Sequence, residues 1–380
     1  MKLRACEELE NKVMKRDLCT LCGACVGMCP YIVPYGGRVL VRDLCDLSEG
    51  RCNTYCPRIS LDLDELSRRL FDSPYVWSGI GTILSIFMAR PTDRRVTAKA
   101  QDAGTVTALT RFALEEGIID SAVVTFFEDK TFPEARLVSN AKELAPSARS
   151  NYMATHVLDA FNRAAEGTRI ERIGVVATPC QALALAKMNA SKPEGGKGID
   201  KPGLVIGLFC TWALTYPAFA EFLEKEIPDP VVKYKIPPPP ANVLQVFTRK
   251  GGLDLPLDRI MPFVRPACRV CHDMTSEFAD ISVGAVEFED LPVRGLGKQG
   301  SPWNTVIVRT ERGMRLLESA RAKGVIETGE LPERILDHLK GAALNKKKRA
   351  FRNIVEITGS RDDLLYFKIK PSTAEELLDG

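Results

Sequence analysis

The densest group of chemically reactive side chains is a run of four cysteines near the start of the chain. Residues 19–30 read CTLCGACVGMCP, so Cys19, Cys22 and Cys25 recur at every third position, and Cys29 is followed by a proline. A structural zinc site usually takes Cys-x2-Cys pairs from two separate places in the chain. Three cysteines at this spacing followed by Cys-Pro are instead typical of a loop that wraps a cubane 4Fe-4S cluster.

Two glycines and the fourth cysteine shape the expected fold of this loop. Gly23 and Gly27 have no Cβ, so they let the backbone approach closely where a side chain would clash. Cys29 is expected to point away from the other three, because the fourth cysteine of such a run binds a second cluster in two-cluster ferredoxins.

A second cysteine group follows in the sequence CDLSEGRCNTYCPR, which again ends in Cys-Pro. It has wider spacing than the first run and lacks one internal cysteine. By analogy with two-cluster ferredoxins, Cys56 completes the first cluster, whereas Cys29, Cys45 and Cys52 hold a second one. The fourth ligand of that second cluster stays open among Cys6, a side chain other than cysteine, and none at all in a three-iron cluster.

Four more cysteines lie far downstream, at Cys180, Cys210, Cys268 and Cys271. In RIGVVATPCQALALAKMNA and GLVIGLFCTWAL, each apolar run ends in a cysteine, and an Ala/Leu-rich helical segment lies between them. This pattern predicts a βαβ unit, whose parallel strands carry both thiols at their carboxyl ends, where open α/β sheets bind ligands. A Cys-x2-Cys pair alone fits half a zinc site or a redox pair equally well. Joined to the other two cysteines, it predicts a third cubane site.

The bulk properties are those of an ordinary globular protein. The 380 residues are 45% hydrophobic and 27% charged, with a formal net charge of +3, which does not favour nucleic-acid binding. The charged start MKLRACEELENK shows no signal peptide, and the longest apolar stretch, near Ile80 to Ala89, is too short to span a bilayer. Twelve cysteines in such a chain favour metal ligation over disulfides, so we expect a cytoplasmic protein.

The chain divides into four predicted segments of the α/β (α+β) class. Residues 1–62 carry eight of the twelve cysteines and little periodic apolar sequence, so we expect a ferredoxin-like module in which clusters substitute for a core. Residues 63–78 predict a short amphipathic linker helix. Residues 79–325 predict a mixed-sheet α/β domain, and residues 326–380 a C-terminal helical extension.

Two glycine-containing loops are candidate nucleotide sites. A loop at residues 102–104 precedes a predicted helix from Thr105 to Glu116, whose N-terminus suits a phosphate, although an ordinary capped helix fits equally well. GLGKQG at residues 295–300 matches the dinucleotide pattern, but it precedes a predicted strand instead of opening a helix, so it fails the structural context of that motif.

Two polar features of the sequence are predicted to face solvent. The basic run NKKKRAFR at residues 345–352 lies on a predicted C-terminal helix, and such a run is more typical of a solvated face than of a docking site. His272 adjoins a cysteine, but the chain has only three histidines, and we interpret this one as a surface residue.

Six motifs together resemble a known family. QDAGTVTAL, RSNYM, ATPCQALAL, GLFCT, CRVCHDMTSEFADISVG and WNTVIVRTERG occur in an order similar to that in the beta subunits of coenzyme F420-reducing hydrogenases and F420-linked formate dehydrogenases. The resemblance covers about residues 75–330, and the ferredoxin-like front is similar to that of the longer members. It implies FAD and a flavin-side 4Fe-4S cluster bound by Cys180, Cys210, Cys268 and Cys271. The residues it places in the flavin pocket are Asp102, Gly104, Thr105, Ser150, Tyr152, Thr178, Pro179, Trp303, Asn304 and Thr305.

The resemblance implies an electron-transfer subunit of a cytoplasmic redox complex. A deazaflavin such as F420 transfers a hydride, a cubane transfers one electron, and FAD converts between the two. The partner would be a hydrogenase, a formate dehydrogenase or an enzyme of the heterodisulfide reductase type, and no catalytic acid or base is required. The alternatives are a self-contained ferredoxin-dependent flavin reductase of an organic or sulfur substrate, and an electron wire without flavin.

Overall fold

The computed structural model describes residues 3–100, 102–149, 151–166, 170–191, 202–237, 240–286 and 302–380. Within these residues the chain forms a cysteine-rich front, a large mixed sheet, a smaller three-stranded sheet and a helical C-terminal part. None of the described helices combines the length and the apolar character needed to cross a membrane.

The front of the chain contains short elements. They are α1 (Ala5–Leu9), a π-helical continuation at Glu10–Met14, β1 (Ile32–Tyr35), β2 (Arg38–Val41), α2 (Arg51–Thr54), β3 (Leu61–Asp62) and α3 (Leu63–Phe71). β1 and β2 pair as an antiparallel hairpin. Asp62 caps α3 by accepting a hydrogen bond from the backbone nitrogen of Glu65. The helix predicted for residues 63–78 begins at the expected residue but ends at Phe71.

The first part of the large sheet alternates strands and helices. Its elements are β4 (Ser85–Pro91), α4 (Arg94–Lys99), α5 (Thr105–Glu115), β5 (Ser121–Phe126), β6 (Glu134–Val138), a 3-10 helix at Ala141–Ser147, α6 (Val157–Glu166), β7 (Ile173–Ala177), α7 (Pro179–Ala190) and β8 (Pro202–Leu208). α5 begins at the predicted residue. β7 and β8 are parallel neighbours, as the βαβ pattern predicts.

The remaining elements complete both sheets and the C-terminal part. They are α8 (Ala218–Glu226), β9 (Val231–Lys235), β10 (Val243–Thr248), β11 (Gly251–Pro256), α9 (Leu257–Ile260), a 3-10 helix at Met261–Phe263, α10 (Pro266–Arg269), β12 (Ile281–Ala285), β13 (Asn304–Val308), α11 (Glu311–Ala322), β14 (Ile326–Gly329), α12 (Glu333–Thr358), β15 (Phe367–Lys368) and α13 (Pro371–Asp379). β10 and β11 form an antiparallel hairpin that β9 extends.

The large sheet is mixed, which confirms the predicted α/β class. Its strand order is β14-β4-β13-β12-β8-β7-β5-β6. β5, β7, β8 and β12 run parallel, whereas β6, β13 and β14 are antiparallel to their neighbours. The ends of the parallel strands and the beginning of β13 therefore meet at one edge. We call this edge, marked by Ala177, Leu208, Ala285 and Asn304, the carboxyl edge.

Helix α7 joins the large sheet to the front of the chain. Most of its residues are buried, and they lie on all sides of the helix, so other elements must cover it all round. Ala182 and Leu185 pack in the core beneath the sheet. Leu183 and Ala186 pack in a second core that includes Leu61 of the front. The large sheet and the front of the chain thus pack against different sides of the same helix.

The C-terminal part completes the core of the front. Phe351 and Ile354 of α12 are fully buried in the same hydrophobic cluster as Leu61 and Leu63. Burying an aromatic or branched side chain of this size contributes about 1.5–3 kcal/mol. β15 also pairs in parallel with β3. The front therefore buries its apolar surface against the rest of the chain, and the predicted domain boundaries stay a prediction.

Helix α6 holds the first cysteine run. The backbone nitrogen of Leu158 donates to the oxygen of Cys22 at 2.9 Å, and the Asn162 amide donates to the oxygen of Val26 at 2.6 Å. Gly23 has φ +87°, and a Cβ there would lie 2.7 Å from the backbone nitrogen of Asp159. The close approach that this glycine allows is therefore to α6.

Replacing Gly23 with alanine should loosen this contact. A left-handed conformation costs an alanine about 1–2 kcal/mol, and the overlap with α6 adds about 1–3 kcal/mol. Gly36 is the matched control, because its φ is also positive, at +54°, but a Cβ at that position would meet no atom within 4 Å. We expect Gly23→Ala to lower the free energy of unfolding more than Gly36→Ala in anaerobic denaturant titrations. Equal losses would show that α6 does not constrain this loop.

Candidate functional site

Four cysteines from the two front sequences come together around one pocket. Cys19, Cys22, Cys25 and Cys56 all contribute to its lining, and we call them the front group. None of the twelve cysteines forms a disulfide. Burial raises the pKa of Cys22 and Cys25, and the charges of neighbouring thiols, Cys19 and Cys56 among them, raise it further. Four thiols are thus close enough to influence one another's ionisation.

A second set, the outer group, consists of Cys6, Cys29, Cys45 and Cys52. The sulfur of Cys6, on α1, lies 3.5 Å from the sulfur of Cys45. It also accepts a hydrogen bond from the backbone nitrogen of Cys45 at 3.2 Å. Burial raises the pKa of Cys52 to about 12, and the charges of Cys45, Cys29 and Cys6 act in the same direction. The structure therefore places Cys6 beside the three cysteines whose fourth partner was open.

The edge group consists of Cys180, Cys210, Cys268 and Cys271. Cys180 lies in the first turn of α7, and Cys210 follows the end of β8. These are the expected positions at the carboxyl edge. Burial raises the pKa of Cys210, Lys346 lowers it, and the other three thiols of the group raise it. The backbone nitrogen of Ala213 donates to the sulfur of Cys268 at 3.3 Å, which joins the two loops.

Buried lysines hold the backbone of the cysteine loops. The Lys187 Nζ donates to the oxygens of Cys56 and Ile59 at 2.7 and 2.6 Å. The Lys346 Nζ donates to the oxygens of Cys210 and Asp273, both at 2.7 Å. Each lysine ties two points of the chain together and brings positive charge to a group of thiols. A thiolate at these sites is thus partly compensated.

The donor set of each group fits a 4Fe-4S cluster. Four thiolates are the ordinary ligands of a cubane, and partial burial with nearby cations suits its negative charge. Among the described residues, no three His, Cys, Asp or Glu side chains surround a position at single-ion distance. A cubane is larger than one ion, so its four ligands stand farther apart. The three ligand sets stay a prediction.

The three groups are neighbours in a fixed order. The charge of Cys180, in the edge group, is the largest thiol contribution to the raised pKa of Cys22, after burial. The charge of Cys52, in the outer group, contributes to the raised pKa of Cys25. The front group therefore lies between the edge group and the outer group.

Several predicted flavin residues lie along the carboxyl edge. The Asn304 Oδ1 accepts a hydrogen bond from the backbone nitrogen of Thr105 at 3.3 Å, and its Nδ2 donates to the oxygen of Gly284 at 3.1 Å. The Thr105 hydroxyl donates to the oxygen of Ala89 at 3.1 Å. Both side chains therefore fix the N-terminus of α5 against β4, β12 and β13. Thr305 is buried in β13.

Positive charge approaches the same end of α5 from the smaller sheet. Burial raises the pKa of Asp102, and the charges of Lys235 and Lys233 on β9 oppose that rise. Gly104 caps α5 with φ +92°. Two lysines and a helix N-terminus are chemically suited to a phosphate group. The sequence contained no signal that distinguished these lysines from ordinary surface ones.

The other predicted pocket residues lie toward the edge group or farther along the edge. The Tyr152 and Trp212 ring centres are 5.9 Å apart, and Trp212 follows Cys210 by two residues. The Thr178 hydroxyl lies 3.4 Å from the sulfur of Cys180, and Pro179 is the first residue of α7. Trp303 stacks under the guanidinium of Arg90 at 4.3 Å. Ser150 and the GLGKQG loop lie outside the described residues. The flavin pocket as a whole stays a prediction.

Comparison with known proteins supports the resemblance. Residues 86–162 and 170–334 match the N- and C-terminal domains of the beta subunit of coenzyme F420 hydrogenase/dehydrogenase. The chain is 32% identical over 285 residues to coenzyme F420 hydrogenase subunit beta of Methanothermobacter thermautotrophicus, which is 72% of this chain and 95% of that protein. The chain belongs to this F420 beta-subunit family.

Two further relatives match the chain over different lengths. The chain is 29% identical over 339 residues to coenzyme F420-dependent sulfite reductase of Methanocaldococcus jannaschii, which is 84% of this chain but 49% of that protein. A chain of the F420-reducing [NiFe] hydrogenase complex from Methanosarcina barkeri superposes with a TM-score of 0.63 and 27% identity, over 73% of this chain and 93% of that one. Membership of the F420 beta-subunit family makes the protein an oxidoreductase.

Helix α12 contains buried lysines that the sequence analysis missed. The match to the models of the F420 beta-subunit family ends at the start of this helix. The prediction that residues 345–352 form a solvated face is wrong, because Lys346 is 3% exposed and Lys347 is fully buried. The Lys347 Nζ lies 3.0 Å from the Glu277 carboxylate and donates to the oxygen of Gly79 at 2.6 Å. The attraction between the two opposite charges offsets part of the cost of burying Lys347 and Glu277 away from water.

The prediction that His272 lies on the surface is also wrong. It is 1% exposed and lies against the ring of Phe367 at 5.2 Å between ring centres. Burial lowers the pKa of His272 well below its ordinary value, and the charges of Lys347 and Arg58 lower it further. A neutral imidazole packs as an aromatic ring, which no local sequence pattern indicates.

Removing the cation from the buried ion pair should destabilise the chain. Lys347→Met leaves the Glu277 charge buried without compensation, which costs about 3–5 kcal/mol of unfolding free energy. We expect the double variant Lys347→Met, Glu277→Gln to recover much of that loss, because no buried charge remains. Lys348→Met is the control on the same helix, at a half-buried position. Anaerobic denaturant titration measures all of them, and equal losses at both lysines would contradict the pairing.

Proposed function

We propose that this chain is an F420-linked electron-transfer subunit that connects coenzyme F420, through FAD and three 4Fe-4S clusters, to a partner enzyme. The observation that carries the proposal is the order of the three four-cysteine groups, which run from the carboxyl edge through the front group to the outer group. When bound, FAD exchanges a hydride with the deazaflavin and single electrons with a cluster.

The carboxyl edge is the proposed flavin site. The N-terminus of α5 and the charges of Lys233 and Lys235 would bind the phosphates, and Asn304 holds α5 in place by its hydrogen bonds to Thr105 and Gly284. Tyr152 and Trp212 provide aromatic surface beside the edge group. The role of these residues is to bind and orient the two ring systems and to exclude water between them.

The edge group would accept electrons first. Cys180 is within electrostatic reach of Cys22, and Cys25 is within reach of Cys52, so each group has its successor as a neighbour. The sharing of α7 between the sheet and the front keeps these distances constant. A rigid series of this kind suits one-electron transfer, in which no bond is made or broken.

The outer group would be the exit toward the partner. Tyr31, Leu44 and Leu47 lie within two residues of Cys29 or Cys45, and they are 40%, 42% and 61% exposed. Apolar side chains that cluster on the solvent-exposed surface mark a site that binds another protein. The partner that the family resemblance indicates is a hydrogenase, a formate dehydrogenase or an enzyme of the heterodisulfide reductase type.

A self-contained reductase is the second candidate. Its support is the similarity to a sulfite reductase over 84% of this chain. That relative is about twice as long as the aligned part, since the alignment covers 49% of it. This candidate predicts that the chain alone turns over a small oxidised substrate such as sulfite, whereas the proposed subunit requires a partner protein.

The first test is the electron donor. We expect reduced F420 to bleach the flavin absorbance of anaerobically reconstituted chain in a stopped-flow mixing experiment, and NADH to leave it unchanged on the same timescale. The reason is that the proposed edge site aligns a deazaflavin against FAD. Bleaching by NADH alone, or no bleaching by either donor in FAD-loaded chain, would overturn the F420 assignment.

Two cysteine variants test the order of the groups. Cys210→Ala should remove the edge cluster, so that reduced F420 still bleaches the flavin but reduces no cluster in the front. Cys6→Ala should leave the edge and front clusters reducible and change only the outer cluster, with loss of iron or a three-iron spectrum. Iron analysis and electron paramagnetic resonance (EPR) spectra after mixing with reduced F420 measure both effects.

The two cysteine variants serve as controls for each other. Each removes one thiol from one group, so a general loss of folding would affect both alike. Normal reduction of the front cluster in Cys210→Ala would contradict a path through the edge group. An unchanged outer cluster in Cys6→Ala would show that Cys6 is not its fourth ligand.

A further inference from the structure

Two buried arginines connect the front group and the edge group. Arg58 lies on the front-group loop, two residues after its last cysteine, and its Nη2 donates to the backbone oxygen of Ala267 at 2.9 Å. Ala267 immediately precedes Cys268 of the edge group. Arg265 lies on that edge-group loop, and its Nη2 donates to the backbone oxygen of Cys19 at 2.8 Å. Each arginine thus reaches from the loop of one group to the loop of the other.

Both guanidinium groups are buried. Arg58 is 3% exposed and Arg265 is 9% exposed. The Arg58 guanidinium also lies 4.7 Å from the ring centre of Tyr366 and donates to its hydroxyl. The Nε of each arginine has no hydrogen-bond acceptor among the described residues. A buried N–H without an acceptor is costly. The thiols of Cys271, Cys180 and Cys268 are close enough for their charges to act on Arg58.

The charge of Arg58 acts on both groups of thiols. Burial raises the pKa of Cys19 in the front group and of Cys180 in the edge group, and Arg58 opposes that rise in each. Burial also acts to raise the pKa of Cys271, but Lys346 and Arg58 outweigh it, and the pKa lies below its ordinary value. Negative charge in either group is therefore stabilised by the same cation.

We propose that Arg58 and Arg265 hold the front and edge groups at a fixed separation and raise the reduction potentials of both clusters through the positive charge they place between them. The inference rests on the proposed function, which assigns a cluster to each group. A cluster that accepts one electron makes and breaks no bond, and its net charge becomes more negative by one. A buried cation nearby favours that reduced form.

The outer group provides an internal reference. The charges that contribute most to the raised pKa of Cys52 are those of Cys45, Cys29 and Cys6, and neither Arg58 nor Arg265 is among them. Removing either arginine should therefore leave the outer cluster unaffected. A change confined to two of three clusters is an effect that general destabilisation does not produce.

The test is a redox titration of the full, anaerobically reconstituted chain, followed by EPR spectroscopy with dithionite as the reductant. In Arg58→Gln and Arg265→Gln we expect full iron content and two of the three midpoint potentials shifted to more negative values. In Arg58→Lys and Arg265→Lys we expect midpoints close to those of the unaltered chain, because the positive charge is retained. Lysine keeps the positive charge of arginine but lacks its planar guanidinium group. The lysine variants therefore separate the effect of the charge from that of the hydrogen-bond geometry.

Arg269→Gln is the matched control. Arg269 follows Cys268 directly but is exposed, and its charge is not among the causes that shift the pKa of Cys268 or Cys271. Water screens an exposed charge of this kind. We expect all three midpoints to stay in place in this variant.

Four results would overturn the inference. They are unmoved midpoints in both glutamine variants, an equal shift of all three clusters, lysine variants that shift as far as the glutamine variants, and loss of iron in both glutamine variants, which would show that the arginines serve assembly instead. Dithionite reduces the clusters without F420, so these results do not depend on the donor. If the unaltered chain itself lacks the front or edge cluster, the proposed function fails first.

Discussion

The architecture depends on burying cysteine thiols, four of the twelve fully and eight partly, together with the cations beside them. Burial raises the pKa of most of these thiols, which opposes the thiolate form that binds iron. Lys187, Lys346 and Arg58 reach the same depth, where they donate to backbone oxygens of the cysteine loops. Buried thiolates and buried cations are each unfavourable alone, so each requires the other.

This requirement explains why the front of the chain is not an independent module in its packing. Its apolar residues share one core with α7 and α12, and α6 holds the first cysteine loop by hydrogen bonds to its backbone. α12 contributes both apolar side chains and the lysines beneath the edge group. A cysteine-rich segment that is joined in this way cannot move relative to the carboxyl edge without breaking a shared core, which suits electron transfer over fixed distances.

Local patterns predicted a large part of the fold. The βαβ unit around Cys180 and Cys210 and the start of α5 were correctly predicted, because periodicity and helix-start residues act over a few neighbouring positions. The burial of Lys346, Lys347 and His272 was not. Composition alone places a run of lysines in water, and only the opposing Glu277, the carbonyls of Cys210 and Gly79 and nearby aromatic rings reverse that expectation.

The sequence by itself determined which side chains have the chemistry of iron ligands and which strands run side by side, since ligand type and hydrophobic period are properties of short segments. Only the tertiary structure decided that Cys6 approaches Cys45 and that Arg58 and Arg265 connect the loops of the front and edge groups. It also decided the order in which the three cysteine groups follow one another. The physical reason is that distances between residues far apart in the chain depend on the packing of every element between them.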